Sequence, residues 1–432
     1  MNILWCVVDC LRYDAFFMNG YSRRTTEVLD DRLEEDFISF DDACTQSSFT
    51  LSIISSLVTG TYPSTHGALR WDDRLSIDLP SLADITNNST LGEVTAIPAM
   101  NFVDSDWGLG RCFDQVRNLD GRKAERNCNQ ATAEEVCSTA RDIVKEQNPF
   151  VTLLWFFDLH TPWLSDVEYS GSNPSRDHYD TETKYVSMEL EKLFGDLEQT
   201  GAYDDTLIIL TGDHGEIFDE HHRLPWTATA RVGKRVPWLR QSITGGGYLG
   251  HLGRPPFEEL VHVPLYVKFP DQAGGGTTVS GQVELVDILP TILDQAGIDI
   301  PKSIQGQSLI PATEGETADV GKEYVRSELI ANPANGHFRM VRSNTHKLID
   351  YEPPSLRTAC LDLPTFAARR ILTPRSVLVN RDDESNNIID SCTEVSAELE
   401  GELNDWPTEP VDQPRDALDN EKREELKNLG YL

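Results

Sequence analysis

The 432-residue sequence predicts an α/β architecture: a large, mostly parallel sheet with helices on both faces, followed by a small C-terminal α+β subdomain. Three observations predict it. Apolar runs at Ile3–Val8, Val94–Pro98, Phe150–Phe157, Thr206–Thr211 and Val263–Phe269 lack period-two alternation, as strands buried on both faces do. Stretches with helical spacing alternate with them. A hydrophobic fraction of 39%, with 8 Trp, 16 Phe and 12 Tyr, supplies a sizeable core and excludes a disordered chain.

Taken in order, Ile3–Val8 is the first strand. It is too short, and runs too soon into Asp9, Arg12 and Asp14, to read as a signal peptide. Ser52–Val58 begins a helix after a polar loop, and Val94–Pro98 is a short strand. Ala131–Glu146 is a helix, Phe150–Phe157 a central strand, and Thr183–Gly201 an amphipathic helix that stops at a glycine. Thr206–Thr211 and Val263–Phe269 are strands, and Val286–Ala296 is a helix ending at Gly297. Leu224–Gly250, with Pro, Trp, Arg and three consecutive Gly, breaks the pattern as an insertion or lid loop. The catalytic domain is expected to span 1–316 and the C-terminal subdomain 317–432. In the latter, Arg339–Tyr351 reads as a strand, Glu352–Arg415 as acidic and weakly periodic, and Ala417–Leu429 as a helix. No repeat is visible.

Composition restricts function. Acidic residues number 71 against 38 basic, a net charge of −33. Phosphate backbones and anionic membrane surfaces would be repelled, so neither nucleic acid nor membrane is expected as a partner. No apolar run reaches the ~18 residues that cross a bilayer. The acids are spread along the chain and Arg outnumbers Lys more than two to one. Such a surface resembles that of proteins from salt-loving archaea, where a Debye length of ~3 Å at 1 M salt screens the self-repulsion. The eight cysteines (6, 10, 44, 112, 128, 137, 360 and 392) form no CxxC pair, so free thiols in a reducing compartment, hence a cytoplasmic location, are expected.

In parallel sheets, ligands bind beyond the C-terminal strand ends. Three ends carry metal-capable residues: Asp9 and Cys10; Asp158 and His160; Asp213, His214 and Glu216. A hydroxyl-rich stretch, Thr45 to Thr50, precedes a helix N-terminus, where N–H groups and the helix dipole favour an oxyanion. Taken singly, such an Asp is a helix cap and Cys10 a plain buried thiol. The coincidence of three strand ends with a hydroxyl-rich turn instead points to a metal hydrolase with an activated hydroxyl.

These residues resemble the sulfatase family of the alkaline phosphatase superfamily, nearly along the whole chain and in order. The segments are Asn2 to Asp14 (NILWCVVDCLRYD), Leu57 to Gly67 (LVTGTYPSTHG), Thr206 to Glu216 (TLIILTGDHGE), Phe257 to Leu265 (FEELVHVPL), Glu284 to Leu293 (ELVDILPTIL), Gly306 to Leu309 (GQSL) and the final LGYL. The resemblance implies an alkaline-phosphatase-like three-layer sandwich and a small anionic ester as substrate. It implies one divalent metal ion held by Asp9, Asp213 and His214. Cys10 stands where the family often has a second acid or amide and is kept as a fourth ligand candidate. Family habit suggests Ca²⁺, while the His ligand also suits Mn²⁺ or Zn²⁺, and the oxygen donors Mg²⁺. Thr50 matches the nucleophile position. His160 and His251 match positive or proton-donating groups around the ester, and Asn101 and Arg254 match the substrate pocket.

At the nucleophile the chain departs from the family. Sulfatases proper resemble Cys-x-Pro-x-Arg there, whereas this chain has Thr50-Leu51-Ser52-Ile53-Ile54. A formylglycine hydrate expels sulfate by breaking its own C–O bond; a threonyl ester needs a second attack by water at sulfur or phosphorus. Phosphoester hydrolysis is therefore favoured over sulfatase activity. Two readings stay open: a degenerate member that binds an anion without turnover, and a phosphotransferase or mutase. The three metal-site residues are expected to converge within ~5 Å, as a shared cation requires. The number of subunits is not legible in the sequence.

Overall fold

The computed structural model describes residues 1–406 except 71–72, 77, 88, 101–102, 104–106, 120–129, 148, 164–165, 167, 172, 219, 221–249, 252–253, 316–319, 331–335 and 354–373. Asn101, Cys128, Cys360, the helix expected at Ala417–Leu429, the boundary at 316/317 and all of the expected loop but Gly250 lie outside the described residues.

A nine-stranded sheet forms the body of the molecule, in the order β4-β3-β5-β1-β6-β7-β2-β8, with β9 also on β2. Its strands are β1 (Asn2–Val8), β2 (Ile38–Cys44), β3 (Val94–Pro98), β4 (Gln115–Val116), β5 (Val151–Phe156), β6 (Thr206–Gly212), β7 (His262–Lys268), β8 (Thr278–Val279) and β9 (Val283–Glu284). β4, β3, β5, β1 and β6 run parallel. β7 is antiparallel to both of its neighbours. β1, β5 and β6 are buried along their whole length, which accounts for their uninterrupted apolar sequences. Among the described residues the helices are α1 (Glu27–Asp36), α2 (Thr50–Thr59), α3 (Pro63–His66), α4 (Leu82–Thr86), α5 (Ala133–Glu146), α6 (Pro174–Thr200), α7 (Glu258–Val261), α8 (Ile288–Gln295) and α9 (Thr393–Asn404).

Register aligns the strand ends. Val8 lies opposite Phe156 on one side and Gly212 on the other. Asp9, Phe157-Asp158 and Asp213 therefore leave the sheet at one edge. Because β7 is antiparallel, its start at His262 falls at that same edge, and so does the segment leading into it, with His251 and Arg254. Cys44, the last residue of β2, pairs with His262, so the hydroxyl-rich turn emerges there too and delivers Thr50 as the first residue of α2.

The second sheet is antiparallel, in the order β10 (Val325–Leu329), β11 (His337–Arg342), β12 (His346–Glu352) and β13 (Ser376–Asn380). Side chains alternate between its faces with period two. Phe338, Met340, Ile349, Tyr351, Val377 and Val379 pack with Cys44, Ile217, Phe257 and Val261 of the first sheet's edge. Val341, Leu348 and Leu378 face the other way, onto Leu399 and Leu403 of α9.

Several expectations change. Arg339–Tyr351 is not one strand but the hairpin β11–β12. The turn is closed by the Ser343 amide on the His346 carbonyl, with the Ser343 hydroxyl accepting from the His346 amide. Glu352–Arg415 holds both β13 and α9, although a short strand and a helix rich in acids give little periodicity. α6 begins at Pro174, nine residues before the expected start; Asn173 caps it through the amides of Ser175 and Arg176. β2 was missed because Asp41 and Asp42 interrupt its apolar pattern. The six described cysteines are all free. Among the described residues no helix is long and apolar enough to cross a membrane.

Candidate active site

At the end of β1 the chain turns sharply, and Cys10 adopts a left-handed conformation (φ 61°). Its amide donates to Asp213 Oδ1 at 3.1 Å, and the His214 amide donates to the same oxygen at 2.7 Å. The second oxygen, Asp213 Oδ2, is buried, has no hydrogen-bond partner and lies 3.6 Å from His214 Nε2. Two glycines permit the approach of these loops. A Cβ on Gly212 would stand 2.4 Å from the Leu11 carbonyl oxygen, and one on Gly215 would stand 1.8 Å from that of Glu259.

The hydroxyl-rich turn is tied to the β6 end by Thr45, whose hydroxyl donates to the Asp213 carbonyl at 2.5 Å. Thr50 follows, fully buried. Phe49 occupies the cap position of α2, and Thr50 is the first residue of the helix. Its Oγ1 lies 3.2 Å from Asp9 Oδ2 and 3.2 Å from His214 Nε2. His214 Nδ1 is 2.9 Å from the Gly215 carbonyl, which can only accept, so Nδ1 carries the hydrogen and Nε2 presents a lone pair to Thr50. Ligand atoms of Asp9, Asp213 and His214 lie within 4.8 Å of one another.

Beside this group stands a second one. Cys10 Sγ donates to Asp9 Oδ1 at 3.0 Å, and Glu216 Oε2 lies 3.3 Å from His251 Nδ1. The His251 ring sits 4.3 Å from that of His214 and 5.3 Å from that of His160, centroid to centroid. His160 Nδ1 is 2.6 Å from the Thr161 carbonyl, so its Nε2 also presents a lone pair. Arg254 acts electrostatically on both His251 and Glu216. Glu216, one of the metal-capable residues at the strand ends, was not carried into the expected ligand set; the available signal was an acid two residues past a strand-end His.

Burial dominates the electrostatics. It pushes Asp9 up to about 7, with the charge of Glu216 adding to the shift. It raises Asp213 well above the usual range, with Asp9 adding. It pushes His160 and His251 down to about 3 and His214 down as well, which favours the neutral form of each ring. Carboxylates packed together out of water, one oxygen lacking any partner, make a donor set that fits a divalent cation.

Residues 1–298 match the family described as Sulfatase, and residues 253–364 match the C-terminal region of N-sulphoglucosamine sulphohydrolase. The multifunctional alkaline phosphatase superfamily protein PehA of Trinickia caryophylli is 33% identical over 132 residues, 30% of this chain but only 20% of that protein's length. The low-salt glycan biosynthesis sulfotransferase Agl7 of Haloferax volcanii is 26% identical over 311 residues, 69% of this chain and 62% of that protein. Among solved structures, a protein in complex with its substrate D-glucosamine-2-N,6-O-disulfate superposes with TM-score 0.72 at 16% identity, over 97% of this chain and 99% of that one. The phosphonate monoester hydrolase of Agrobacterium radiobacter superposes with TM-score 0.69 at 17% identity, over 93% and 94%. With a single family model covering residues 1–298, well over half of the sequence, the chain belongs to the sulfatase family.

Proposed function

We propose that the protein is a metal-dependent hydrolase of small anionic sulfate or phosphate esters, with Thr50 as nucleophile and phosphoesters as the better substrates. The observation that carries this reading is the Thr50 hydroxyl, buried at a helix N-terminus and 3.2 Å from both Asp9 Oδ2 and His214 Nε2. Asp9, Asp213 and His214 would hold one divalent ion, Ca²⁺ by family resemblance. When bound, the ion supplies charge neutralisation and Lewis acidity at the ester oxygens. The chain's own residues do the rest. Oγ1 forms a bond to phosphorus in line with the leaving oxygen, and its hydrogen passes to Asp9 Oδ2. The bond to the leaving oxygen breaks, that oxygen takes the proton from Asp9 by way of solvent, and the amides opening α2 receive the charge on the transferred group's oxygens. His251 and His160 face the leaving oxygen, and Arg254 offsets the anion. Water then attacks the threonyl ester and restores Oγ1–H.

Phosphorus accepts a second attack more readily than sulfur, and the likeness to a phosphonate monoester hydrolase agrees with that preference. The likeness to a protein named as a sulfotransferase favours a second reading, in which a sugar or other alcohol replaces water. Thr50→Ala and Thr50→Ser are the test, assayed on aryl phosphate monoesters, diesters and aryl sulfates at high salt with Ca²⁺, Mn²⁺, Mg²⁺ or Zn²⁺. Loss of the nucleophile should lower turnover by several orders of magnitude, and serine should restore part of it. Near-native turnover in Thr50→Ala rules the assignment out, and a wild type that cleaves only sulfates rules out the phosphoester preference. A phosphorylated alcohol formed in the presence of an added acceptor identifies the transferase.

A further inference from the structure

We propose that Cys10, Glu216 and His251 form a second metal site, for a thiophilic divalent ion of the zinc class, next to the site of Asp9, Asp213 and His214. The geometry is the argument. Cys10 Sγ lies 3.7 Å from His251 Nδ1 and 3.8 Å from Glu216 Oε2, and the latter two atoms are 3.3 Å apart. A tetrahedral zinc with Zn–S of ~2.3 Å and Zn–N and Zn–O of ~2.0 Å sets its ligand atoms ~3.3–3.6 Å apart, so the triangle already has nearly the right edges. All three side chains are buried, at 0%, 2% and 4% exposure. They come from three separate places, the ends of β1 and β6 and the segment ahead of β7, so no local turn accounts for their meeting.

Thiolate, imidazole and carboxylate together select zinc over calcium or magnesium, which take oxygen donors. Asp9 links the two sites, with Oδ1 3.0 Å from Cys10 Sγ and Oδ2 3.2 Å from Thr50 Oγ1. One carboxylate can thus serve an ion on each side, as in paired-metal phosphoesterases. Ligation balances simply. The thiol hydrogen, now shared with Asp9 Oδ1, leaves to solvent as the S–metal bond forms. The ion takes the place of the hydrogen between Glu216 and His251 Nδ1, and the ring hydrogen moves to Nε2, which becomes a donor. Cys10, which looks like a lost ligand when compared with the family, then serves a different ion, with Glu216 supplying the carboxylate. Nothing in this depends on which atom attacks the ester.

The experiment is a metal titration of the chelator-stripped full chain in molar salt, followed by elemental analysis and by absorption with Co²⁺ as probe. Wild type should bind two equivalents of Co²⁺ or Zn²⁺ and show the near-ultraviolet thiolate-to-cobalt charge-transfer band. Cys10→Ser should lose the band and one equivalent, and Glu216→Gln should also lose one equivalent. Thr50→Ala should keep both equivalents and the band, so failure of the nucleophile assignment reads differently from failure of this site. One equivalent and no band in wild type overturns the proposal. So does a band that survives in Cys10→Ser, because the thiolate would then be another cysteine. If Cys10→Ser does not fold, Glu216→Gln decides: two equivalents retained in that variant overturns the site.

Discussion

Asp213 carries two tasks on one carboxylate. Oδ1 accepts the amides of Cys10 and His214 and so fixes both strand ends, while Oδ2 is left buried without a hydrogen-bond partner. Asp213→Asn keeps the first task and removes the charge from the second. Divalent-ion affinity, measured by calorimetry, should fall more than ~100-fold, since even mutation of residues that only support ligands costs 10–100-fold. The melting temperature of the ion-free protein should hold or rise, because repulsion with Asp9 is relieved. Gly215 gives the opposite kind of test. Gly215→Ala drives a methyl into the Glu259 carbonyl and should destabilise the fold by about 1–3 kcal/mol, as overpacking does, measurable by denaturant unfolding.

The two sheets meet across a set of buried ion pairs. Arg342 of β11 bonds Asp42 of β2 at 2.6 Å and Glu258 of α7 at 2.8 Å. Lys347 of β12 bonds Glu258 at 2.8 Å and Glu384 at 2.5 Å, and Arg381 closes the set on Asp42 and Glu258. Arg342 and Lys347 are fully buried, so removing one partner leaves a charge without compensation. Glu258→Gln should cost ~3–5 kcal/mol, read from chemical denaturation. Burial alone would raise the Glu258 carboxyl, but Lys347, Arg342 and Arg381 override it and hold it well below its usual range. A depressed folded value means stability is gained above the unfolded value of ~4.3 and lost as pH falls through the folded one. Wild type should therefore weaken steeply below pH ~4.3, and Glu258→Gln should show a shallower slope there.

At the scale of the whole molecule, the net charge of −33 sets the solution behaviour. Repulsion among surface acids is screened within ~3 Å at 1 M salt but reaches ~30 Å at 0.01 M. Melting temperature should therefore fall as salt is removed, and equal values in molar and dilute salt would leave the acidic composition without this explanation. The buried pairs that join the sheets are screened less, so the loss should begin at the acidic surface, in elements such as α9 and α1.

The sequence by itself determined the body of the fold and pointed to the strand ends where the candidate site lies. β1, β3, β5 and β6 are buried on both faces, and that condition writes itself as unbroken apolar runs with polar residues at their ends. Asp9, Asp213 and His214 stood out as candidates for the same reason, at the ends of such strands, whereas Thr50 stood out through the hydroxyl-rich turn and the family resemblance. Elements whose burial depends on distant partners were not legible. β2 carries Asp41 and Asp42 because Arg342 and Arg381, some three hundred residues away, neutralise Asp42. The β11–β12 turn lies in six polar residues, Arg342 to Lys347, that the expected single strand ran straight through. Which way a side chain faces within the site was likewise a tertiary decision. Only the register of β1 against β6, and the antiparallel entry of β7, bring Cys10, Glu216 and His251 together. Contacts between residues far apart in sequence leave no local pattern to read, because the packing that satisfies them is supplied from elsewhere in the chain.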